Sequence, residues 1–444
     1  MKHRLTGVLV LVAIALAHEV LAQRPPENVM IYDGYGQSYQ PCEPSIAVSP
    51  YNTDWIVAGT ILDNVHVSKD GGWTWQSEKL TSKYGVFGDP CIVASPKKDV
   101  YYLHLSNPDG RAWSSEALLD RIVIQRARKP GKSWNAGAGM GLNGSKDQDK
   151  EWAAVSVDGK QLVTCWTQFD LYGSPEAADS TVILCSTSNR RAKKWSEPVR
   201  INAIAGDCLD GDETVEGAVP DFAPDGTIYV AWAQADTIWM DRSSDGGATW
   251  LEKDLRVATI AGGWDQKIRG VGRANGMPVT RVDRSSGPHS GRVYVNWTDN
   301  RNGEEDNDVW IVWSDDGGRT WTEPVRVNDD PPGAEQFFTW MDVDDVTGNV
   351  HIVFYDRREA AAKEPNPHSL RSWNTEVYVA SSYDGGATWE NLKVSEEWFR
   401  PNAKIFFGDY NNISAHGGVV RPIWTRNDDG VLSVWTAILE GYVE

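Results

Sequence analysis

The sequence predicts an all-β fold, a seven-bladed β-propeller of four-stranded blades. Three observations predict it. A turn motif with the pattern Ser-x-Asp-Gly-Gly-x-Thr-Trp occurs four times in the 444 residues. A set of three strands recurs seven times, at a spacing of roughly 60 residues that suits four-stranded units with long loops. A strand near the N-terminus supplies the fourth strand that the last unit lacks.

The repeated motif has the composition of a tight turn between two adjacent strands. Its Asp can accept hydrogen bonds from backbone N–H groups of the same turn, and its glycines adopt positive φ without steric strain. Its Trp can bury a large ring against the neighbouring sheet. The four copies span residues 68–75, 243–250, 314–321 and 382–389.

The number of strands predicts how the ring closes. We label the strands of one unit A to D, with the motif between C and D. Strands A, B and C occur seven times, but a D strand follows a motif only six times, counting two degenerate motifs that end at Trp134 and Trp195. The segment 28–32 precedes the first A strand, where a D strand otherwise lies. We therefore expect this N-terminal strand to complete the last blade and leave no open sheet edge.

The N-terminus has the pattern of an export signal. Lys2 and Arg4 precede a short apolar run, and Val20-Leu21-Ala22 fits a cleavage site for residues 1–22. The run is too short to span a membrane comfortably. We expect a secreted protein, periplasmic or extracellular, with a single propeller domain over residues 23–444.

The net charge limits the kinds of binding partner, and the cysteines would lie in the oxidising compartment that export implies. The formal net charge is −19, which argues against nucleic acid and anionic membranes as partners. Export permits disulfides. Cys165 and Cys185 fall on adjacent predicted strands and would lie opposite each other, either as a disulfide or as two buried thiols. With five cysteines, at least one stays unpaired within the chain.

The turn motif resembles the Asp-box, the BNR repeat of sialidases and related β-propellers. Segments 43–48, 149–153, 354–358 and 407–410 are similar to a broad group of exported bacterial propellers described as sialidase-like. The resemblance implies the fold and an exported location, and in that family the box is structural and lies away from the catalytic face. A six-bladed sialidase fold with extra strands is the alternative architecture.

In such propellers the D–A and B–C loops share one face, which we call the front face, and the motif turns mark the other, the back face. Carboxylates, arginines and a tyrosine at the front are what a glycosidase needs, because acid catalysis and anion binding require them. Each can instead cap a loop or pair with a neighbour. The front-face positions are Asp89, Asp149, Glu151, Glu216, Arg273, Asp299, Arg301, Asp356, Arg357, Arg358, Asp409, Tyr410 and Arg426.

The sialidase resemblance implies specific roles. It makes Asp89 the acid, Tyr410 the nucleophile and Glu216 the partner of that tyrosine. The arginines that would bind a substrate carboxylate are Arg273, Arg357 and Arg426. From the residues themselves, Arg357 and Arg358, which directly follow an aromatic strand, favour an anion contact, although Asp356 can pair with one of them.

Two acidic loops, residues 207–213 and 299–308, are rich in oxygen ligands. We expect no required cofactor, but a structural calcium ion on Asp299, Asp306 and Asp308 is one hypothesis, and solvated acidic turns are the alternative.

Two functions fit the sequence. The first is a secreted glycoside hydrolase of exo-sialidase-like type that acts on an extracellular carbohydrate, with acidic glycans as one option. The second is a non-catalytic propeller that binds a glycan or a protein. The front-face residues favour the first. The absence of the Arg-Ile-Pro signature of sialidases near the first blade, and the many functions that one fold supports, favour the second.

Overall fold

The computed structural model describes residues 26–364 and 366–439. These residues form seven four-stranded antiparallel sheets, so the predicted seven-bladed propeller is confirmed and the six-bladed alternative is wrong. The innermost strand of each blade contacts those of both neighbours, which closes the ring around a central axis. The predicted export signal over residues 1–22 lies outside the described residues.

Blades 1 to 3 are consecutive in sequence. Blade 1 contains β2 (Ser45–Val48), β3 (Ile56–Thr60), β4 (Asn64–Ser68) and β5 (Gln76–Lys79). Blade 2 contains β6 (Cys91–Ala94), β7 (Val100–Leu105), β8 (Ile122–Ala127) and β9 (Ala138–Met140). Blade 3 contains β10 (Asp147–Val155), β11 (Gln161–Phe169), β12 (Thr181–Asn189) and β13 (Val199–Arg200).

Blades 4 to 6 repeat the same order from the axis outward. Blade 4 contains β14 (Glu216–Phe222), β15 (Ile228–Gln234), β16 (Thr237–Ser243) and β17 (Leu255–Thr259). Blade 5 contains β18 (Val279–Val282), β19 (Val293–Asp299), β20 (Asp308–Ser314) and β21 (Val325–Arg326). Blade 6 contains β22 (Gln336–Val343), β23 (Val350–Asp356), β24 (Glu376–Ser382) and β25 (Glu390–Lys393).

Blade 7 joins the two ends of the chain, as the strand count predicts. Its inner strands are β26 (Asn412–His416), β27 (Val419–Asp428) and β28 (Val431–Ile438), and its outermost strand is β1 (Glu27–Asp33). β1 runs antiparallel to β28, with Val29 opposite Thr436. Because the N-terminal strand completes the last blade, the ring can open only if this pairing breaks.

The helical segments of residues 26–364 and 366–439 lie in front-face loops. The B–C loop of blade 6 contains α1 (Arg358–Lys363) and a 3-10 turn, Leu370–Trp373. The B–C loop of blade 2 contains a second 3-10 turn, Ala112–Ser114. None of the helices in the described part of the chain is long and apolar enough to cross a membrane.

The same pattern of internal hydrogen bonds occurs in each of the four Ser-x-Asp-Gly-Gly-x-Thr-Trp turns. In the second copy, Asp245 accepts from the amide of Thr249 at 2.9 Å and from its hydroxyl at 2.6 Å, while Ser243 accepts from the amide of Gly247 at 2.9 Å. Hydrogen bonds from Thr249 lower the pKa of Asp245 to about 2. Both glycines have positive φ, 76° and 90°, so an L-residue would be strained there.

Each of these turns also ties its blade to the preceding one. The first-glycine carbonyl of the turn accepts a hydrogen bond from a side chain of that blade, as in Arg421 to Gly71 at 2.7 Å and Arg242 to Gly317 at 2.8 Å. A local motif therefore contributes to packing between blades.

Cys165 and Cys185 are direct partners across β11 and β12 and form a disulfide, with a Cα–Cα distance of 4.1 Å. The other three cysteines are buried and free.

The B strands also bury large aromatic rings. Trp166, Trp232 and Trp297 are fully enclosed, which accounts for part of the high tryptophan content.

Candidate active site

The inner strands of blades 1, 2 and 3 begin with an unusual backbone conformation. Glu43, Asp89 and Lys150, which lie two residues before the paired residues Ser45, Cys91 and Trp152, adopt φ of 52°, 49° and 54°. In blade 3 this coincides with a register shift between Asp149 and Trp152. Left-handed φ is costly for residues with a Cβ, and such residues occur in tight turns and cluster at functional sites. The three charged side chains at this position line one central pocket.

Gly408 lets the chain that leads into blade 7 pass close to the backbone of Glu43 in blade 1. Its φ is +91°, and a Cβ at this position would lie 2.9 Å from the backbone nitrogen of Glu43. The neighbouring Asp409 then reaches the same centre.

A pocket of about 290 Å³ opens over these residues on the front face, where the sequence predicts the site. This volume is near the lower end of the range for small-molecule sites, roughly 300–1,000 Å³. Aromatic rings form much of its wall, and Trp113 packs edge-on against Phe87 at 5.8 Å. The lining residues are Tyr39, Glu43, Ile61, Leu62, Phe87, Gly88, Asp89, Leu105, Trp113, Leu119, Asp149, Lys150, Tyr172, Arg273 and Phe406.

An ion-pair network forms the floor of the pocket. Asp409 accepts hydrogen bonds from Lys150 and, through its Oδ1, from Nε of Arg273 at 2.8 Å. Lys150 Nζ also lies 3.8 Å from Asp89 Oδ2, and Arg273 donates to Asp210 at 3.1 Å. The two cations therefore hold together three carboxylates, which come from three different D–A loops.

The network separates the pKa values of its carboxyl groups. Burial alone would raise the pKa of Asp409, but the charges of Lys150 and Arg273 lower it to about 2. Burial, reinforced by the charge of Asp89, raises the pKa of Asp149 to about 7. Burial also raises the pKa of Asp89, against the opposing charge of Lys150. The pocket thus places the ionised Asp409 close to Asp149, a carboxyl group with a pKa near neutrality, and such a separation of pKa values is typical of acid–base sites.

Two further carboxyl groups, those of Glu151 and Glu216, are not part of the pocket lining. Glu151 and Glu216 are almost completely buried, and no carboxyl oxygen of either has a hydrogen-bond partner among the described residues. Burial raises both pKa values, with Asp89 adding to the effect on Glu151 and Asp210 to that on Glu216.

Tyr410, the predicted nucleophile, is also buried. Its ring packs against Trp152 and Trp340, with centroids 5.5 and 5.9 Å away. Burial and the charges of Glu43, Asp89 and Glu151 raise its pKa well above the usual value. The carboxylates acting on Glu216 are instead Asp210 and Asp149, so the predicted pairing of Tyr410 with Glu216 has no counterpart in these interactions.

The predicted arginines do not line one pocket. Arg273 lines the central pocket, whereas Arg357 and Arg358 line a separate pocket beside α1, and Arg426 lines a third beside Trp398. Each of the three outlying arginines is paired with a carboxylate: Arg357 with Glu335, Arg358 with Asp356, and Arg426 with Asp428. Of the predicted set, the central pocket brings together Asp89, Asp149 and Arg273, and Asp409 lies on its floor.

The three aspartates of the predicted calcium site accept hydrogen bonds from other residues of the protein. Asp299 accepts from Arg301 at 2.8 Å, Asp308 from Arg326 at 2.6 Å, and Asp306 from a backbone amide at 2.8 Å. Within residues 26–364 and 366–439 there is no group of three or more His, Cys, Asp or Glu side chains placed to hold a metal ion. Calcium binding at this loop stays a prediction.

Sequence reasoning did not place Glu43, Lys150 or Tyr172 in the site, and it placed Asp210 only in an acidic loop. A signal for two of them was present, because Glu43 and Lys150 occupy the position of Asp89 when the A strands of the three blades are aligned. Asp210 and Tyr172 come from long loops, where the strand repeat gives no indication that they meet at the central pocket.

The sheets, the closed ring and the front-face pocket define a seven-bladed β-propeller with a candidate site at the centre of its front face. The sequence model of the BNR repeat-like domain family matches residues 160–413, more than half of the chain, and the chain belongs to this family. The predicted resemblance to BNR-repeat propellers is therefore confirmed.

Solved structures share the fold at low sequence identity. A protein of unknown function from Dyadobacter fermentans is 12% identical, with 94% of this chain and 99% of that chain covered and a TM-score of 0.50. A Hadza microbial sialidase is 15% identical, with 88% and 75% covered and a TM-score of 0.48. The α-L-arabinanase of Penicillium chrysogenum is 13% identical, with 76% and 94% covered and a TM-score of 0.47. At these identities the likeness concerns the fold alone.

Proposed function

We propose that the protein is an exported glycoside hydrolase that acts on an extracellular glycan in the central front-face pocket. The observation that carries the proposal is the pairing of Asp149, whose pKa is raised to about 7, with Asp89 in one aromatic-walled pocket. Glycoside hydrolysis needs one carboxyl group to protonate the leaving oxygen and a second to act as base or nucleophile.

The two carboxyl groups have different surroundings, which suggests their roles. Asp149 keeps its proton toward neutral pH, as a general acid must. Asp89 lies beside the Lys150 ammonium group, which favours its ionised form and the role of base or nucleophile. This assignment transfers the acid role from Asp89, where the sialidase resemblance puts it, to Asp149.

The pocket offers contacts for both neutral and acidic sugars. Trp113 and Phe406 are 68% and 49% exposed and can stack on sugar rings. Arg273, with 41% of its side chain exposed, is the cation best placed to contact an acidic substituent, although Asp409 and Asp210 already bind it. Neutral and acidic glycans are both candidates, and a three-arginine carboxylate clamp is not part of the proposal.

The test is hydrolysis of chromogenic glycosides, both neutral and acidic and including an α-sialoside, by the chain from residue 23 onward. Asp149→Asn and Asp89→Asn should each reduce kcat/KM at least about 100-fold, the usual size of a general acid–base contribution. Asp241→Asn is the matched control, because Asp241 is equally buried and has a pKa near 7, but lies in β16. Turnover that survives both pocket substitutions would refute the proposal.

The second candidate, a non-catalytic glycan-binding propeller, is favoured by the exposed aromatic rim. Tyr39 is 50% exposed beside Phe406 and Trp113 in the same pocket lining. This function predicts glycan binding without turnover, with binding lost in Trp113→Ala and kept in Asp149→Asn. A glycan array followed by calorimetry separates the two functions.

A further inference from the structure

A second concave surface lies on the back face, between blades 2 and 3. We call it the basic groove, and its volume is about 890 Å³. Its lining contains eight cationic side chains and one acidic side chain, Asp99, in a protein whose net charge is −19. The cations are Lys97, Lys98, Arg126, Arg128, Lys160, Arg190, Arg191 and Lys193.

The groove arises where the repeat has degenerated. Blades 2 and 3 are the ones whose C–D turns lack the Asp-Gly-Gly core, and these turns carry Arg128 in one blade and Arg190, Arg191 and Lys193 in the other. The A–B turns of the same blades add Lys97 and Lys160. The back-face turns of blades 2 and 3 are thus rich in basic residues and meet across one blade junction.

Few of these charges are neutralised by the protein. The buried Asp99 pairs with Arg126 at 2.6 Å and lies 3.5 Å from Arg190, and the exposed Asp158 pairs with Lys160 at 2.7 Å. No salt bridge to a carboxylate is found in the described part of the chain for Lys97, Lys98, Arg128, Arg191 or Lys193. Several like charges held close together without counter-charges favour an anionic ligand with several negative groups.

We propose that the basic groove binds a linear polysaccharide that carries sulfate or carboxylate groups. The concave shape suits a flexible chain better than the flat surface of a lipid bilayer. The groove lining contains no aromatic side chain, whereas proteins that bind single-stranded nucleic acid stack its bases on aromatic rings. The acidic remainder of the protein would repel a polyanion beyond the groove, so only a short stretch of the polymer is held.

This site is independent of the proposed hydrolase pocket. The groove is built from A–B and C–D turns, whereas the central pocket is built from D–A and B–C loops on the opposite face. A protein with both sites would hold an anionic matrix polymer on one face while the other remains open to a substrate. The binding test below does not depend on hydrolysis, so either proposal can fail alone.

The test is calorimetric titration with a sulfated dextran oligosaccharide at low salt, with unsulfated dextran of the same length alongside. The groove variant combines Lys97→Gln, Lys160→Gln and Lys193→Gln, all at exposed positions. The matched control removes the same charge from three exposed lysines elsewhere, through Lys253→Gln, Lys267→Gln and Lys404→Gln. A single-stranded DNA of equal charge and phosphatidylserine vesicles are titrated in parallel.

We expect the sulfated oligosaccharide to bind and the unsulfated one not to bind. The groove variant should lose about tenfold or more in affinity, because three exposed ion pairs each add a modest amount. Its affinity should also depend less on salt than that of the wild-type protein. The control variant should retain wild-type affinity within about threefold, since its lysines lie outside the groove.

Three results would overturn the proposal: no binding of the sulfated oligosaccharide to the wild-type protein, an equal loss in the control variant, or DNA or vesicle binding as tight as that of the polysaccharide. Wild-type turnover of a small glycoside by the groove variant, together with lost binding, would support two separate sites.

Discussion

Replacing Asp149 with Asn should stabilise the protein at neutral and alkaline pH. Burial and the charge of Asp89 raise the pKa of Asp149 from 3.8 to about 7. The native state therefore holds a proton that the unfolded state has released between these two values. The stability from the neutral acid is fully present below about pH 4 and is lost as the pH rises through about 7.

The size of the effect follows from this shift. About three pKa units at 1.36 kcal/mol each give about 4 kcal/mol. Because Asp149 and Asp89 interact, we expect a measured gain of about 2–4 kcal/mol for Asp149→Asn between about pH 4 and pH 8. The amide keeps an oxygen that can accept the Lys150 backbone N–H, which donates to Asp149 at 2.9 Å.

The assay is urea unfolding of the wild-type and variant proteins across this pH range, monitored by tryptophan fluorescence and circular dichroism, with coincident transitions as the criterion for comparing free energies. Asp158→Asn is the control in the same blade, because Asp158 is exposed and hydrogen bonds from Lys160 and Ser156 lower its pKa to about 2. This control should be slightly destabilising at neutral pH. A stability difference for Asp149→Asn that does not grow with pH would refute the reasoning.

Three further predictions concern the network, the repeated turn and the disulfide. Lys150→Met should cost roughly 3–5 kcal/mol, because it leaves buried Asp409 with one counter-charge instead of two, and should raise the pKa of Asp409 from about 2; urea unfolding and carboxyl infrared titration measure the two effects. Asp384→Ala should cost about 1–2 kcal/mol in urea unfolding, because the amides and hydroxyls of its turn lose their acceptor, as at a lost helix cap. Changing both Cys165 and Cys185 to Ala should cost about 3 kcal/mol, the loop entropy of a crosslink with a sequence separation of 20, measured against the wild-type protein under oxidising conditions.

Each of these three predictions can be contradicted by one outcome. Wild-type stability in Lys150→Met would mean that Arg273 alone balances Asp409. An unchanged urea midpoint in Asp384→Ala would show that the two glycines and the tryptophan hold the turn without the carboxylate. Equal stability of the wild-type protein with and without reductant would remove the disulfide from the stabilising interactions.

Local sequence patterns were sufficient for the architecture. The motif around Asp245 specifies a turn through hydrogen bonds within eight residues, and the alternation of apolar residues marks the strands on either side. Counting strands was enough to assign β1 to blade 7, because a ring with one missing strand has one place to fill. The register that puts Cys165 opposite Cys185 follows from a hairpin whose two strands are close in sequence.

The composition of the site was decided by tertiary structure. Every blade offers charged residues at the front, so the repeat makes Arg273, Arg357 and Arg426 look equivalent. Only the folded ring determines that Arg273 turns toward the axis and Asp409, while Arg357 is held by Glu335 at a different pocket. The left-handed backbone that aims Lys150 inward depends on a bulge between paired strands, which no residue pattern within one strand reveals.

The pKa of a carboxyl group is likewise a property of the assembled ring. Asp149 and Asp409 are both buried aspartates at the front ends of inner strands, yet one has a pKa near 7 and the other near 2. The difference arises because two cations, from blades 3 and 5, both contact Asp409. Sequence by itself determines the fold through local hydrogen bonds and burial patterns. Charges that meet across the axis, from residues more than 100 positions apart, decide the chemistry only after the ring has closed.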